Sequence, residues 1–566
     1  MSTNPHLTFP EFTYERPDLE AAGEKFAAVL EAFRRADSIN DAVAATEQID
    51  SIRSAVATAQ NISYIRHSID TRDEFYRAEK AWFDEHGPAT EAWRMDYYRA
   101  LLDHPLREGL TAHFGEQLFR TAEQSIKTFR EEIITDLQAE NKGYSEYMQL
   151  KGGAQIEVDG TTYNLSSIVP LEQVADRAAR QRASRAKWDW MGEHQGQFER
   201  IYDELVGLRS GMATKLGYDN YVGLAYDLRG RADYGPAEVA NFRAQVREHL
   251  VPLATRLAAE QAERIGVDRL RYYDVSFRFP DGNPKPQGDQ ATTVAAARRL
   301  YDELSTETGS FFRFLEDRKL MDLASTDGKA TGGYCTYVPD YGTPYIFANF
   351  NGTSHDVDVL THEFGHAFQV YNSRHLKPIE YLWPTYDAAE IHSMSMEFFA
   401  YPGVDDFFGV DAQKYFYNHL AGAIRFIPYG CAVDEFQHLV YENPQWTPAE
   451  RNAAWKKLEA TYLPHLDYGD HAYLDQGTYW QGQLHIFGMP FYYIDYCLAQ
   501  ICAFQFWLRD EQDHESAWKD YVQLCRAGGS RSFLELVQLA GLENPFEDGI
   551  MEKIAAKVTE RLGELE

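Results

Sequence analysis

The chain has 566 residues, too many for one compact core, and its 44% hydrophobic and 25% charged residues are those of a globular protein, not a fibre or a disordered tail. Its 87 Asp and Glu outweigh 55 Lys and Arg, for a formal net charge of −32. A field of that sign repels phosphate, so neither nucleic acid nor an anionic membrane is an expected partner.

The first 150 residues read as helices. Phe26, Leu30 and Phe33 recur at i, i+4 and i+7 after Pro17-Asp18, and the stretches 78–102 and 119–137 carry the same period. The period then changes. Ile156 and Val158 precede Asp159-Gly160, and Thr162-Tyr163-Asn164-Leu165 follow, the pattern of a tight hairpin with a type I′ turn. Helical patterns resume over 171–264, and the Pro- and Gly-rich stretch 280–288 is a loop. Two extended segments follow, 332–338 and 345–350, with a turn at Pro339-Asp340-Tyr341-Gly342. Beyond Asn351 the pattern is helical to the end. The fold class is mainly α with a small β element.

The five cysteines, Cys335, Cys431, Cys497, Cys502 and Cys525, never form C-x-x-C, so neither a disulfide framework nor a Cys-zinc site is expected. The first residues lack a basic stretch followed by an apolar run, and no 18 residues in a row are apolar. The expected address is cytoplasmic, with no membrane partner.

Within the helical run after the second extended segment stands His362-Glu363-Phe364-Gly365-His366. Two histidines four apart on a helix share a face and can grip one ion, while the adjacent glutamate can reach a metal-bound water. With 18 histidines in the chain, H-E-x-x-H arises by chance in about one such chain in twenty, so the motif needs support. A catalytic zinc requires a third protein ligand. Glu390 and Glu397 lie seven apart and share a helical face, among Met394, Met396, Phe398 and Phe399. A carboxylate buried in that company needs a positive partner. Glu390 is expected as third ligand, Glu397 as hydrogen-bond partner of a ligand histidine, and His392, on another face, as structural. Near the C-terminus the segment from His485 to Tyr496 is dense in His and Tyr, suitable donors to an oxyanion, though many of the 36 tyrosines must simply pack.

Taken together, Gly332-Gly-Tyr-Cys-Thr-Tyr, the run Phe350 to Gln369 around H-E-F-G-H, Ala389-Glu390-Ile, and His485-Ile-Phe with Pro490-Phe-Tyr-Tyr-Ile-Asp-Tyr496 resemble the oligoendopeptidase F branch of the thimet oligopeptidase family. The resemblance implies a zinc metallopeptidase that cuts short unstructured peptides internally. It implies one zinc on His362, His366 and Glu390, Glu363 as general base, and His485, Tyr493 and Tyr496 near the oxyanion, with Tyr492 competing with Tyr493. The fold it implies is a helical ellipsoid with a deep substrate channel and a small β-sheet beside the zinc-binding helix. An N-terminal helical region over 1–175, with the hairpin near 155–165, would pack with a catalytic region over 176–566 into one two-lobed body. The segment 345–350 is expected to offer a free strand edge to an extended peptide. Where the thimet branch is glycine-rich, this chain reads Ile486-Phe-Gly-Met-Pro490, with one glycine. Two alternatives stay open: a zinc carboxypeptidase of similar helical fold, for which no arginine motif announces a carboxylate clamp, and an inactive peptide-binding protein.

Overall fold

The computed structural model describes residues 7–565. Helices account for 70% of the chain, with one two-stranded and one three-stranded sheet among the described residues. Two compact units emerge, each assembled from three stretches. The first takes the chain up to Ile126, Lys285–Ala412 and Cys502–Asn544; the second takes Lys127–Pro284, Gln413–Ile501 and the chain from Pro545 on. Residue 175, where the sequence suggested a division, lies inside the second unit.

The hairpin forms as its turn chemistry predicts. Strands β1 (Ile156–Val158) and β2 (Thr161–Tyr163) pair antiparallel, and Asp159 and Gly160 both take positive φ, 50° and 81°. The expected helix over 78–102 is two helices, Glu74–His86 and Pro88–Leu102, because Pro88 has no N–H to continue the first and suits the start of the second.

In the first unit, β3 (Met321–Ala324), β4 (Tyr334–Val338) and β5 (Thr343–Phe350) form a sheet in the order β3-β5-β4. β4 runs antiparallel to β5 through the tight turn at Pro339–Tyr341, closed by Gly342 at φ 62°. β3, which sequence reading missed, pairs parallel with β5 on its other side. This corrects one expectation: 345–350 is the central strand and offers no free edge; the outer strands are β3 and β4. Lys329 fastens the arrangement. Its side chain is 1% exposed, and its ammonium donates to the carbonyls of Ala324 and Ala348, both at 2.6 Å, and to the Asp322 carboxylate at 2.5 Å. One buried cation thereby ties β3 to β5 and satisfies acceptors that the short parallel ladder leaves over.

The sheet packs on the helix His355–Ser373, which carries H-E-F-G-H. That helix starts where the Asp356 carboxylate accepts the backbone N–H groups of Asn351 and Gly352 (2.9 and 2.8 Å). Leu360, Phe364 and Phe368, spaced by four, form its buried stripe, and Phe364 stacks on Tyr301 with centroids 3.7 Å apart. No helix among the described residues is long and apolar enough to cross a membrane.

Candidate metal centre

Two helices of the first unit build the site. His355–Ser373 presents His362, Glu363 and His366, and Tyr386–Phe399 crosses it with Glu390 and Glu397. The crossing is close because of Gly365. A Cβ there would lie 2.7 Å from both the Ser393 Cα and the His392 carbonyl oxygen, and 3.0 Å from the Met396 Cβ. The two x positions of H-E-x-x-H are therefore not equivalent. Phe364 anchors the helix in the core, while Gly365 lets the carboxylate helix approach. Gly365→Ala is expected to lower the melting temperature and the metal affinity together. The methyl meets backbone atoms that no rotamer can move, and overpacking of that kind costs about 1–3 kcal/mol, against about 1 kcal/mol gained in helix propensity. Thermal melts and metal titration of the variant check it.

At the crossing, Glu390 Oε2 sits 3.2 Å from His362 Nε2 and 3.4 Å from His366 Nε2. One ligand atom from each of the three residues lies within 4.8 Å of the others, an arrangement that could hold a metal ion. Ser393 Oγ donates to the same Glu390 oxygen at 2.9 Å. On its far side, His362 Nδ1 donates to Glu397 Oε1 at 2.7 Å, which fixes the tautomer and turns Nε2 toward Glu390. Glu397 thus stands behind the histidine rather than beside Glu390.

Electrostatics follow from burial and pairing. Burial opposes an imidazolium at His362, but Glu390 and Glu397 on either side hold its pKa well above the usual histidine range. Burial likewise opposes the Glu390 carboxylate, and the facing imidazoles of His366 and His362 hold its pKa well below the usual range. The cluster calls for positive charge at its centre, supplied either by protons or by a cation. Glu363 behaves differently. It is 7% exposed, its Oε2 has no hydrogen-bond partner, and burial raises its pKa. Beside it, Gly333 precedes β4, and a Cβ there would stand 3.6 Å from Glu363 Oε1. His392 is fully buried, donates Nδ1–H to the Ala388 carbonyl at 2.9 Å, and its pKa falls to about 4 through burial, consistent with a neutral packing residue.

His485, Tyr492, Tyr493 and Tyr496 belong to the second unit and cluster there. The His485 ring lies 4.9 Å from that of Tyr493 and 5.8 Å from those of Tyr492 and Tyr496. Tyr492 is buried, whereas Tyr493 and Tyr496 keep part of their surface exposed. The loop between the helices Leu484–Gly488 and Tyr493–Asp510 is held by residues that sequence reading did not single out. The guanidinium of Arg209 donates to the Phe487 carbonyl, that of Arg229 to Pro490 at 3.2 Å, and that of Arg231 to Phe491. Arg231 also pairs with Asp495 at 2.6 Å, both being buried. Phe491 sits at φ 64°, its N–H donating to Gln437 Oε1 at 2.9 Å and its carbonyl taken by Arg231. These arginines come from sequence positions about 260–280 residues away, with no local motif to announce them.

A model of the peptidase M3 N-terminal domain matches residues 9–129, and that of peptidase family M3 matches 171–287 and 311–556. A structure of "PZ peptidase A with inhibitor 2" is 49% identical and covers 98% of this chain and 99% of its own, with a TM-score of 0.95. One described as oligoendopeptidase F is 51% identical with the same coverage and TM-score. Oligopeptidase PepF of Bacillus subtilis (strain 168) is 23% identical over 65% of this chain, and the match spans only 56% of that relative's own length. With both M3 models matched and near-complete overlap with these structures, the chain belongs to peptidase family M3, in its oligoendopeptidase F branch.

Proposed function

We propose that this protein is a zinc-dependent endopeptidase that hydrolyses internal bonds of short, unstructured peptides. The observation that carries the reading is the convergence of two histidine Nε2 atoms on one Glu390 oxygen, next to a buried glutamate that is hydrogen-bonded through neither the cluster nor a neighbour at Oε2. A tetrahedral zinc with nitrogen and oxygen ligands at about 2.0–2.2 Å sets those ligands about 3.3 Å apart. The two Glu–His distances here are 3.2 and 3.4 Å, and all three ligand atoms lie within 4.8 Å of one another, which supports His362, His366 and Glu390 as the ligand set. When bound, zinc supplies Lewis acidity, which polarises the scissile carbonyl and makes water nucleophilic at neutral pH.

The remaining work belongs to side chains. Glu363 takes the proton of the attacking water on its carboxylate and passes it to the leaving amine; burial, by raising its pKa, brings its basicity nearer the working pH. Glu397 holds His362 in the tautomer that keeps Nε2 free to ligate. For His485, Tyr493 and Tyr496 the support is the resemblance together with their mutual clustering, and their role is donation to the oxyanion. An extended peptide would add to the sheet at the outer strand β4, whose approach through Gly333 leaves room beside Glu363. Backbone pairing of that kind reads extension and length rather than sequence.

The test is mass spectrometry of products from a mixed peptide library, with and without chelator. Internal cuts that vanish with chelator and return with zinc agree with the proposal. Release of single C-terminal residues would make the protein a carboxypeptidase, and intact peptides throughout would make it a binder. Tyr496→Phe separates chemistry from binding. It removes one hydroxyl, and kcat is expected to fall by about 10²–10³-fold with little change in KM. If Tyr492→Phe shows that loss and Tyr496→Phe does not, the assignment across the loop is out of register.

A further inference from the structure

In the second unit a cavity of about 320 Å³ is lined by Lys151, Lys187, Trp188, Tyr429, Tyr479 and Gln483, among others. Lys151, on the last turn of the helix Ile134–Gly152, donates to the Gly482 carbonyl at 2.7 Å and to the Tyr147 hydroxyl at 3.3 Å. Both acceptors are neutral, and among the described residues no carboxylate pairs with it. Two of the three ammonium donors are used. Lys187 is different, because Glu172 accepts from it at 3.0 Å. Burial and the neighbouring Lys187 bring the Lys151 ammonium down to about 8, the behaviour of a cation set in a wall without a counter-ion. In a chain of net charge −32, a cavity presenting one uncompensated cation and no free carboxylate runs against the overall field.

The cavity also adjoins the residues to which the oxyanion is assigned. The Gln483 amide accepts from Tyr429 OH at 2.8 Å and donates to His485 Nδ1 at 2.7 Å, so one side chain both lines the cavity and orients the histidine. Trp188, Tyr429 and Tyr479 give it aromatic walls suited to a peptide's side chains.

We propose that this cavity is a carboxylate subsite of the bound peptide. The Lys151 ammonium receives a carboxylate, either the peptide's C-terminal group or the side chain of Asp or Glu. The inference rests on the peptidase reading, since it takes the ligand to be a peptide. An ammonium–carboxylate hydrogen bond is roughly twice as strong as a neutral one, which in a partly buried site corresponds to an affinity gain of about tenfold.

The experiment uses full-length, zinc-loaded Glu363→Gln protein, so that peptides bind without being cut. Fluorophore-labelled ten-residue peptides are compared as free acid and C-terminal amide, and as Asp- and Asn-containing pairs. One acid form is expected to bind about tenfold tighter than its neutral counterpart, and the pair that shows it identifies the carboxylate. Lys151→Met should bring that ratio close to one, and Lys151→Arg should restore it. A ratio near one in the Glu363→Gln protein, or a ratio that Lys151→Met leaves unmoved, overturns the proposal. Because Lys151 also holds the Gly482 carbonyl, thermal melts accompany the Lys151→Met titration: a lost ratio with melting temperature and neutral-peptide affinity unchanged supports the subsite, and a ratio lost only together with neutral-peptide affinity counts against it. Turnover of the same peptides by wild-type protein separates the two readings. Acid-selective binding without cleavage would sink the peptidase reading and leave the subsite; cleavage of acid and neutral forms with equal KM would sink the subsite alone.

Discussion

Glu363→Gln is expected to lower turnover by about 10²–10⁴-fold while zinc content and peptide affinity stay as in the wild type. The amide matches the carboxylate in size and shape, so the helix and the flanking His362 and His366 have no reason to move. What it lacks is the capacity to take a proton. The pKa of Glu363 is raised, because burial dominates there, whereas Glu390 faces two imidazoles that hold its pKa down. Those environments push two neighbouring glutamates apart in basicity, and so apart in role. Single-turnover assays beside elemental analysis measure both halves of the expectation. A Glu363→Gln protein that still cuts peptides would remove the general base from the scheme and make the peptide-binding alternative, or a different base, the better account.

Glu390→Ala should instead abolish zinc retention, and activity with it. On the proposed reading the variant loses one of three protein ligands, together with the carboxylate that draws both Nε2 atoms to one point. Glu397→Ala offers the contrast. It leaves all three ligands and frees only the Nδ1 side of His362, so metal affinity is expected to fall by about 10–100-fold rather than vanish. Elemental analysis after dialysis, with a chelator competition for the weaker variant, ranks the two. Full zinc in Glu390→Ala and none in Glu397→Ala would exchange their roles.

The parts of the molecule legible in the sequence are those written in local spacing. His362 and His366 are one turn apart, Glu390 and Glu397 two turns apart, and Asp159-Gly160 demands its turn. Each of these relations is fixed by the period of a single element. The order of the sheet was not legible, because β3 is four residues long and joins β5 in parallel across some twenty residues, with no turn chemistry to mark it. The expected free edge on 345–350 failed for that reason alone. Gly365 stood in plain view inside the motif, yet its purpose depends on backbone atoms of another helix. The arginines that hold the Phe487–Phe491 loop were equally invisible, since a buried cation is recognised by the carbonyls it meets, and theirs come from distant sequence; the carbonyls that Lys329 meets are nearer, at Ala324 and Ala348, but only the pairing of β3 with β5 brings them together.

Neither unit is continuous in the chain, and this governs the order in which the protein can be made. The cluster of His362, His366 and Glu390 lies in 355–397, but its surroundings do not end there. Tyr521 OH donates to the His392 carbonyl at 2.9 Å, from the helix His514–Ala527 that packs on the motif helix. Arg53 reaches in from the other end of the chain to Glu380 at 2.7 Å. The first unit therefore stays unfinished until Asn544 has left the ribosome. At about 5–20 residues per second that takes roughly half a minute to two minutes. Only in the last third of that interval, while the roughly 180 residues after His366 are made, does the nascent chain carry His362, Glu363 and His366 without the walls that bury them. For the same reason the stretch 171–556, which spans the match to the M3 model, is not a separable catalytic module: cut out, it would leave the first unit without its opening 126 residues.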